Sequence, residues 1–161
     1  MPFEPRDPDF DRKVRDSFAR QQFMATLGAE LTELAPGHCV ISLPYRPELS
    51  QQHGYFHGGV IGTLADNSCG YAAYSLMPQG CSVLTVEYKL NLLAPGDGDL
   101  LIARGEVVKP GRTLTICRSE VIVVKDGREK LCATALATLM CMAGKSDGAP
   151  TTRGSGADSA R

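Results

Sequence analysis

Charge of one sign is scarce in this 161-residue chain: 17 Lys and Arg stand against 18 Asp and Glu. Without a basic excess there is no electrostatic footprint for nucleic acid or an anionic membrane surface. Long apolar runs are missing too, none reaching the roughly 20 residues that cross a bilayer. The opening stretch, MPFEPRDPDFDRK, is charged and broken by proline where a secretory signal would be apolar. The six cysteines (Cys39, Cys69, Cys81, Cys117, Cys132, Cys141) include no Cys-x-x-Cys pair, which removes zinc knuckles and thioredoxin-type motifs. Three disulfides would suit a much smaller secreted chain; among Val, Ile, Leu and Ala these thiols read as buried hydrophobes. The absences together predict a soluble, cytoplasmic protein with neither nucleic acid nor membrane as partner. What is present is ordinary: 43% hydrophobic residues, enough for one domain with a core and a ligand cavity.

Residues 1–9 and the Gly/Ser/Ala-rich stretch 144–161 are expected to be disordered, flanking a single domain over 10–143. Phe10, Val14 and Phe18, then Phe23 and Met24, fall at near-helical spacing after a candidate N-cap, Asp9, with Gly28 as the stop. Residues 29–35 and 39–44 flank a Pro36-Gly37 turn and predict a hairpin. A polar loop, 46–56, leads into a helix that His57-Gly58-Gly59 opens and Pro78-Gln79-Gly80 closes. Val60, Ile61, Leu64, Ala65, Tyr71, Ala72, Ala73, Tyr74 and Leu76 cover nearly its whole circumference, so it should be buried on most sides. Beyond it the chain alternates. Leu84, Val86, Tyr88, Leu90 and Leu92 take one face of a strand, and Thr85, Glu87, Lys89 and Asn91 the other. Turns at 95–98, 110–111 and 126–127 separate three further strands, read as consecutive antiparallel neighbours. The fold class is α+β: a long central helix wrapped by five or six antiparallel strands, plus an N-terminal helix. A sheet edge and a helix flank left apolar argue for a dimer.

Between Glu48 and Glu87 the only formally charged side chain is Asp66, midway along the most apolar helix. An unpartnered aspartate there is costly to bury, and burial raises its carboxyl pKa. That makes Asp66 the leading catalytic candidate. Gly58 and Gly59 leave the first turn of the helix bare, where unpaired N–H groups suit an anion or a developing oxyanion. Gly59 and Asp66 share a helix face but lie about 10.5 Å apart along its axis. One carbonyl cannot touch both within one subunit, so the geometry hints at a site shared between two chains.

The run His57-Gly58-Gly59-Val60-Ile61-Gly62-Thr63-Leu64-Ala65-Asp66 resembles the HGG-x(6)-D signature of hotdog-fold acyl-CoA thioesterases, in the phenylacetate-pathway (PaaI-like) branch. The likeness runs from about Phe18 to Met142, and the order of elements agrees with it. It implies hydrolysis of an acyl-CoA thioester at a homodimer interface, and a tetramer built from two dimers. No cofactor is implied, since CoA belongs to the substrate. By the same resemblance Asp66 is the catalytic carboxylate, Gly58 N–H the oxyanion donor with Gly59 beside it, and His57 the residue that steadies the loop and the carbonyl. Gln51 stands where the family usually has an asparagine that holds the attacking water, and is one methylene longer. Thr85 falls where relatives carry a Ser or Thr hydroxyl from the partner subunit, although strand alternation puts it on the polar face with Glu87. Arg112, near Lys109 and Arg118 at the Pro110-Gly111 turn, is the candidate for the CoA phosphates.

The chemistry suits a thioester: a thiol with a pKa near 8.5 leaves as thiolate without a strong general acid. A carboxylate and a polarised carbonyl are a sufficient minimum. Other readings are a hotdog-fold enoyl-CoA hydratase or dehydratase, and a non-catalytic acyl-CoA-binding protein. His53 and His57 are four apart, but Gly54 breaks the helix that would present both to a metal. Ser68 and Cys69 lie within a turn of Asp66 and lack both a nucleophile elbow and a histidine partner. The acyl group, aromatic or medium-chain, is not legible.

Overall fold

The computed structural model describes residues 3–145 and 147. Helix α1 (Phe10–Arg20) buries Val14 and Ser17, and a second short helix, α2 (Gln22–Leu27), buries Met24 and Leu27. The apolar spacing predicts one helix here. Five residues separate Phe18 from Phe23, so a continuous helix would turn them to different faces. The chain instead breaks at Gln21, which is extended (φ −74°, ψ 100°), and Phe23 is left exposed. Gly28, in the left-handed region at φ 79°, ends α2 as the sequence suggests.

The expectation of disorder over 1–9 does not hold from residue 3 onward. Phe3 packs so closely over Gly37 that a Cβ there would come within 2.5 Å of its ring. Asp7 is buried, pairs with Lys13 at 3.1 Å and accepts the Asp9 N–H at 3.0 Å. Asp9 itself makes no side-chain cap bond. The carboxylate two residues earlier holds the helix start. Apart from Gly144, Lys145 and Asp147, the expected tail over 144–161 lies outside the described residues.

Six strands follow: β1 (Glu30–Ala35), β2 (His38–Pro44), β3 (Cys81–Leu92), β4 (Leu100–Lys109), β5 (Leu114–Lys125) and β6 (Arg128–Ala143). They form one sheet in the order β1-β2-β4-β5-β6-β3, every pair antiparallel. The turns at 110–111 and 126–127 are hairpins as predicted. The turn at 95–98 is not: β3 pairs with β6, and the 93–99 link carries the chain across to β4, between β2 and β5. This crossover makes room for the central helix, α3 (Gly58–Tyr74), inside the curl of the sheet. The backbones meet at Gly105, where a Cβ would lie 2.2 Å from Ser68 O, and Ser68 and Ser119 hydroxyls pair at 2.8 Å. Eleven of the 17 residues of α3 are buried, as its all-round apolarity implies. Of the less covered positions, Gly59, Thr63, Asp66 and Asn67 fall on one side of the helix as a stripe whose Asp66 edge meets β3.

Strand β3 departs from simple alternation. Thr85 pairs with Leu139 but Glu87 pairs with Thr138, so Val86 is an extra, bulged residue. Before the bulge Val83 and Thr85 face α3; after it Tyr88, Leu90 and Leu92 do, with Tyr88 and Leu90 against Gly62 and Leu92 against Gly58. Leu84, Val86 and Glu87 face away, Glu87 accepting from the Thr138 hydroxyl at 2.6 Å. The assignment of Thr85 to the same face as Glu87 is therefore corrected. An odd residue breaks the period of two.

Candidate active site

The loop before α3 builds a corner in which almost every backbone group is accounted for. His57 N donates to Leu49 O at 2.9 Å, and His57 O accepts from both Val60 N and Ile61 N. The imidazole is the helix cap: its Nδ1 accepts from Gly59 N at 2.9 Å. Accepting at Nδ1 requires the neutral ring to carry its proton on Nε2, which points that N–H away from the helix. Of the first-turn amides, only Gly58 N–H is left without a protein acceptor among the described residues. Both glycines are closely approached by side chains. A Cβ on Gly58 would sit 3.1 Å from Leu92 Cδ1, and one on Gly59 would sit 3.0 Å from the capping Nδ1.

Gln51 lies in the same corner. Its N–H donates to Tyr55 O at 2.9 Å, and its side-chain carbonyl accepts from His53 N, which leaves the Nε2 amide to offer. Gln51 and Gly58 line a mainly apolar cleft of about 460 Å³ with Tyr55, Phe56, Leu92 and Leu93.

Asp66 sits two turns along, on the half-covered stripe. Burial pushes its carboxyl above the usual carboxylate range, and a hydrogen bond from Thr85 Oγ1 to Oδ1 at 2.8 Å opposes that rise. The hydroxyl reaches the acid of its own chain, Thr85 being the last residue before the bulge to face α3. Asn67 is beside it: Nδ2 donates to Thr63 O at 3.2 Å, while Oδ1 is buried without a partner. Asp66, Asn67 and Thr85 line a second cleft, about 310 Å³, with Gln21, Tyr71 and Leu84. Sequence reasoning missed Asn67 and Gln21. An unpaired amide oxygen is visible only once the helix is packed.

The structure thus brings Asp66 to Thr85, and Gln51 to His57, Gly58 and Gly59, but in one chain it keeps the two groups apart. Eight residues of helix separate Gly58 from Asp66, about 12 Å, and the two clefts share no lining residue. Arg112 is with neither group. It borders a hollow of about 110 Å³ with Phe3, Arg6, Ala73 and Met77 at the far end of α3, about 22 Å of helix from Gly58. Elsewhere on the sheet, Arg118 is held by Glu106 at 2.7 Å and Arg104 by Glu129 at 3.1 Å. Cys69 is fully buried and its thiol pushed far up by burial, and Ser68 is buried against Ala65 O and Ser119. Neither fits a nucleophile.

Residues 53–130 match the thioesterase superfamily. A crystal structure of a thioesterase family protein from Silicibacter pomeroyi is 50% identical, with a TM-score of 0.83 over 84% of this chain and 99% of that one. The chain belongs to the thioesterase superfamily. Two curated relatives of this thioesterase carry more specific names. The acyl-coenzyme A thioesterase PaaI of Escherichia coli is 27% identical over 97 residues, 60% of this chain and 67% of that protein. The 1,4-dihydroxy-2-naphthoyl-CoA hydrolase of Listeria monocytogenes is 27% identical over 114 residues, 71% and 90% of the two chains. The solved E. coli PaaI structure, 20% identical, shares the fold with a TM-score of 0.76 over 87% of this chain and 98% of that one. This is a PaaI-like hotdog thioesterase, a thioester hydrolase, as the HGG-x(6)-D run implies. No helix among the described residues is long and apolar enough to cross a membrane.

Proposed function

We propose that this thioesterase hydrolyses acyl-CoA thioesters to the free acid and CoA, at two equivalent sites that each need residues from both chains of a homodimer. The observation that carries the reading is the separation along α3 of one unpaired amide, at Gly58, from one carboxylate, at Asp66. The free edge of β3 supplies the means to join them. It is twelve residues long, and Leu84, Val86, Tyr88 and Leu92 on it are 44% to 56% exposed, an edge that invites strand pairing. Antiparallel pairing with β3 of a second copy, about a two-fold axis at Lys89, sets Leu90 opposite Tyr88 and, with the bulged Val86 taking up one residue, Leu92 opposite Thr85 of that copy. Leu92 marks the Gly58 corner and Thr85 marks Asp66. Each amide then meets the other chain's acid. Two such dimers make the tetramer that the family likeness implies.

In that arrangement Gly58 N–H holds the thioester oxygen and stabilises the oxyanion, a contribution on the order of 10²–10³ in rate. His57 keeps the corner rigid by capping Gly59, and Gln51 offers Nε2 to the attacking water. Asp66, kept basic by its desolvated position and oriented by Thr85, removes a proton from that water, or attacks the carbonyl itself to give an anhydride that water then opens. The C–S bond breaks and CoA leaves as thiolate. The acyl group, aromatic or medium-chain, lies in the Asp66 cleft against Tyr71, and the CoA arm leaves through the Gly58 cleft. Six cysteines that are all free fit a reducing cytoplasm.

The test is thiol release, followed with DTNB, from phenylacetyl-, benzoyl-, octanoyl- and palmitoyl-CoA, together with the mass by light scattering. Release from the aromatic or medium-chain thioesters by a dimer or tetramer is expected. A stable monomer, or hydration of an enoyl-CoA with no thiol release from any of the four, overturns the reading.

A further inference from the structure

Two clefts meet at the end of the sheet nearest Gly58. The apolar cleft of about 460 Å³ continues, across Tyr55 and Pro95 which line both, into a second of about 350 Å³ over the β5–β6 hairpin. Asp97, Lys125, Asp126, Arg128, Glu129 and Lys130 line that second cleft. Three acids and three bases look balanced until their partners are followed. Lys125 is taken by Asp97 at 2.7 Å, and Glu129 is taken by Arg104 at 3.1 Å. Asp126, on the turn at φ 50°, adds its charge to that of Asp97 on Lys125. Arg128 and Lys130 remain, exposed, with no acidic group within 4 Å among the described residues. Along one path from Gly58 the surroundings therefore change from a bare N–H, to apolar walls, to two uncommitted cations.

We infer that Arg128 and Lys130 are the anchor for the phosphates of the CoA nucleotide, with Tyr55 and Pro95 as the ridge over which the pantetheine arm passes. This rests on the acyl-CoA reading. CoA has the same order of parts: a thioester, a neutral amide arm, then a nucleotide carrying a diphosphate and a 3′-phosphate. Arginine at the hairpin supplies a planar fork for a phosphate, and lysine a mobile point charge. The site is at the surface, so its attraction is screened by salt and adds to ground-state affinity, not to the chemical step. Arg112, the phosphate candidate by sequence, lies at the other end of α3, where the path from Gly58 does not lead.

The experiment is calorimetric titration of the full-length protein with CoA, dephospho-CoA and pantetheine at low and moderate salt, on wild type, Arg128→Ala/Lys130→Ala and Arg128→Glu/Lys130→Glu. Wild type should bind CoA at least about tenfold more tightly than pantetheine, with the preference shrinking as salt rises. The double alanine variant should lose about tenfold for CoA, and the charge-reversed variant more, with pantetheine unaffected in either. A smaller loss with dephospho-CoA assigns the 3′-phosphate to the pair; an equal loss assigns the diphosphate. Unchanged CoA binding in both double variants overturns the inference, as does a loss of CoA binding in Arg112→Ala alone. A protein that binds CoA through the pair yet releases no thiol from any acyl-CoA overturns the proposed function and leaves the anchor standing. One that cleaves acyl-N-acetylcysteamine as well as acyl-CoA does the reverse.

Discussion

Replacing Asp66 by asparagine removes one proton-accepting oxygen and almost nothing else. The amide keeps the shape, and its Oδ1 still accepts from Thr85 Oγ1 as the carboxylate does at 2.8 Å. The loss should therefore be that of a general base or nucleophile, 10²–10⁴ in rate, or about 3–5 kcal/mol of barrier. Thiol release under saturating acyl-CoA reads kcat directly, and retention of more than about a tenth of the wild-type rate refutes the role. Stability should move the other way. Burial raises the Asp66 pKa above its ordinary 3.8, so the folded chain holds that proton more tightly than the unfolded chain. Ionising Asp66 thus weakens the fold as pH climbs from 3.8 through the raised value, after which the penalty is constant. Asp66→Asn should melt at the same temperature as wild type or higher at pH 7, and the gain should vanish below pH 3.8. The same shift makes wild-type kcat/KM rise with pH on an acid limb whose midpoint lies above 3.8. An acid limb at or below that value, or a variant that melts earlier at pH 7, would show that Asp66 is not the desolvated group described here.

Thr85→Ala removes the bond that opposes the rise, so the acid limb of kcat/KM should move to higher pH, while Thr85→Ser restores it. Gly59→Ala places a Cβ 3.0 Å from the capping imidazole and should lower kcat by about tenfold or more, with a helix-cap loss of about 1 kcal/mol in denaturant titration. Lysines at both Leu84 and Val86 on the free edge of β3 should yield folded monomers by light scattering that release no thiol. Active monomers would show that each chain carries a complete site.

The parts of the molecule legible in the sequence are those set by local pattern. The all-round apolar helix, the glycine corner before it and the Asp126-Gly127 hairpin each follow from residues adjacent in the chain. Asp66 was visible as a lone charge in an apolar stretch. What escaped depends on contacts between distant segments. The pairing of β3 with β6 is a choice among partners that no single strand encodes. Phe3 and Asp7 are ordered because Gly37 and Lys13 receive them. The two amides beside the acid, Asn67 and Gln21, gain meaning only where α3 meets β3 and the helix break at Gln21. Arg112 looked suitable by composition, yet the end of the helix it borders was not in the pattern.

Val86 has a consequence for comparing this chain with others. With it present, the side chains turned to α3 are Val83 and Thr85, then Tyr88, Leu90 and Leu92. Were it deleted, plain alternation would carry the same five inward unaided. The surplus residue therefore contributes bend and twist to the sheet margin, not the choice of who looks in. A homologue one residue shorter at this point can present an identical hydroxyl to an identical acid, and an ungapped alignment would misplace every position on one side of it.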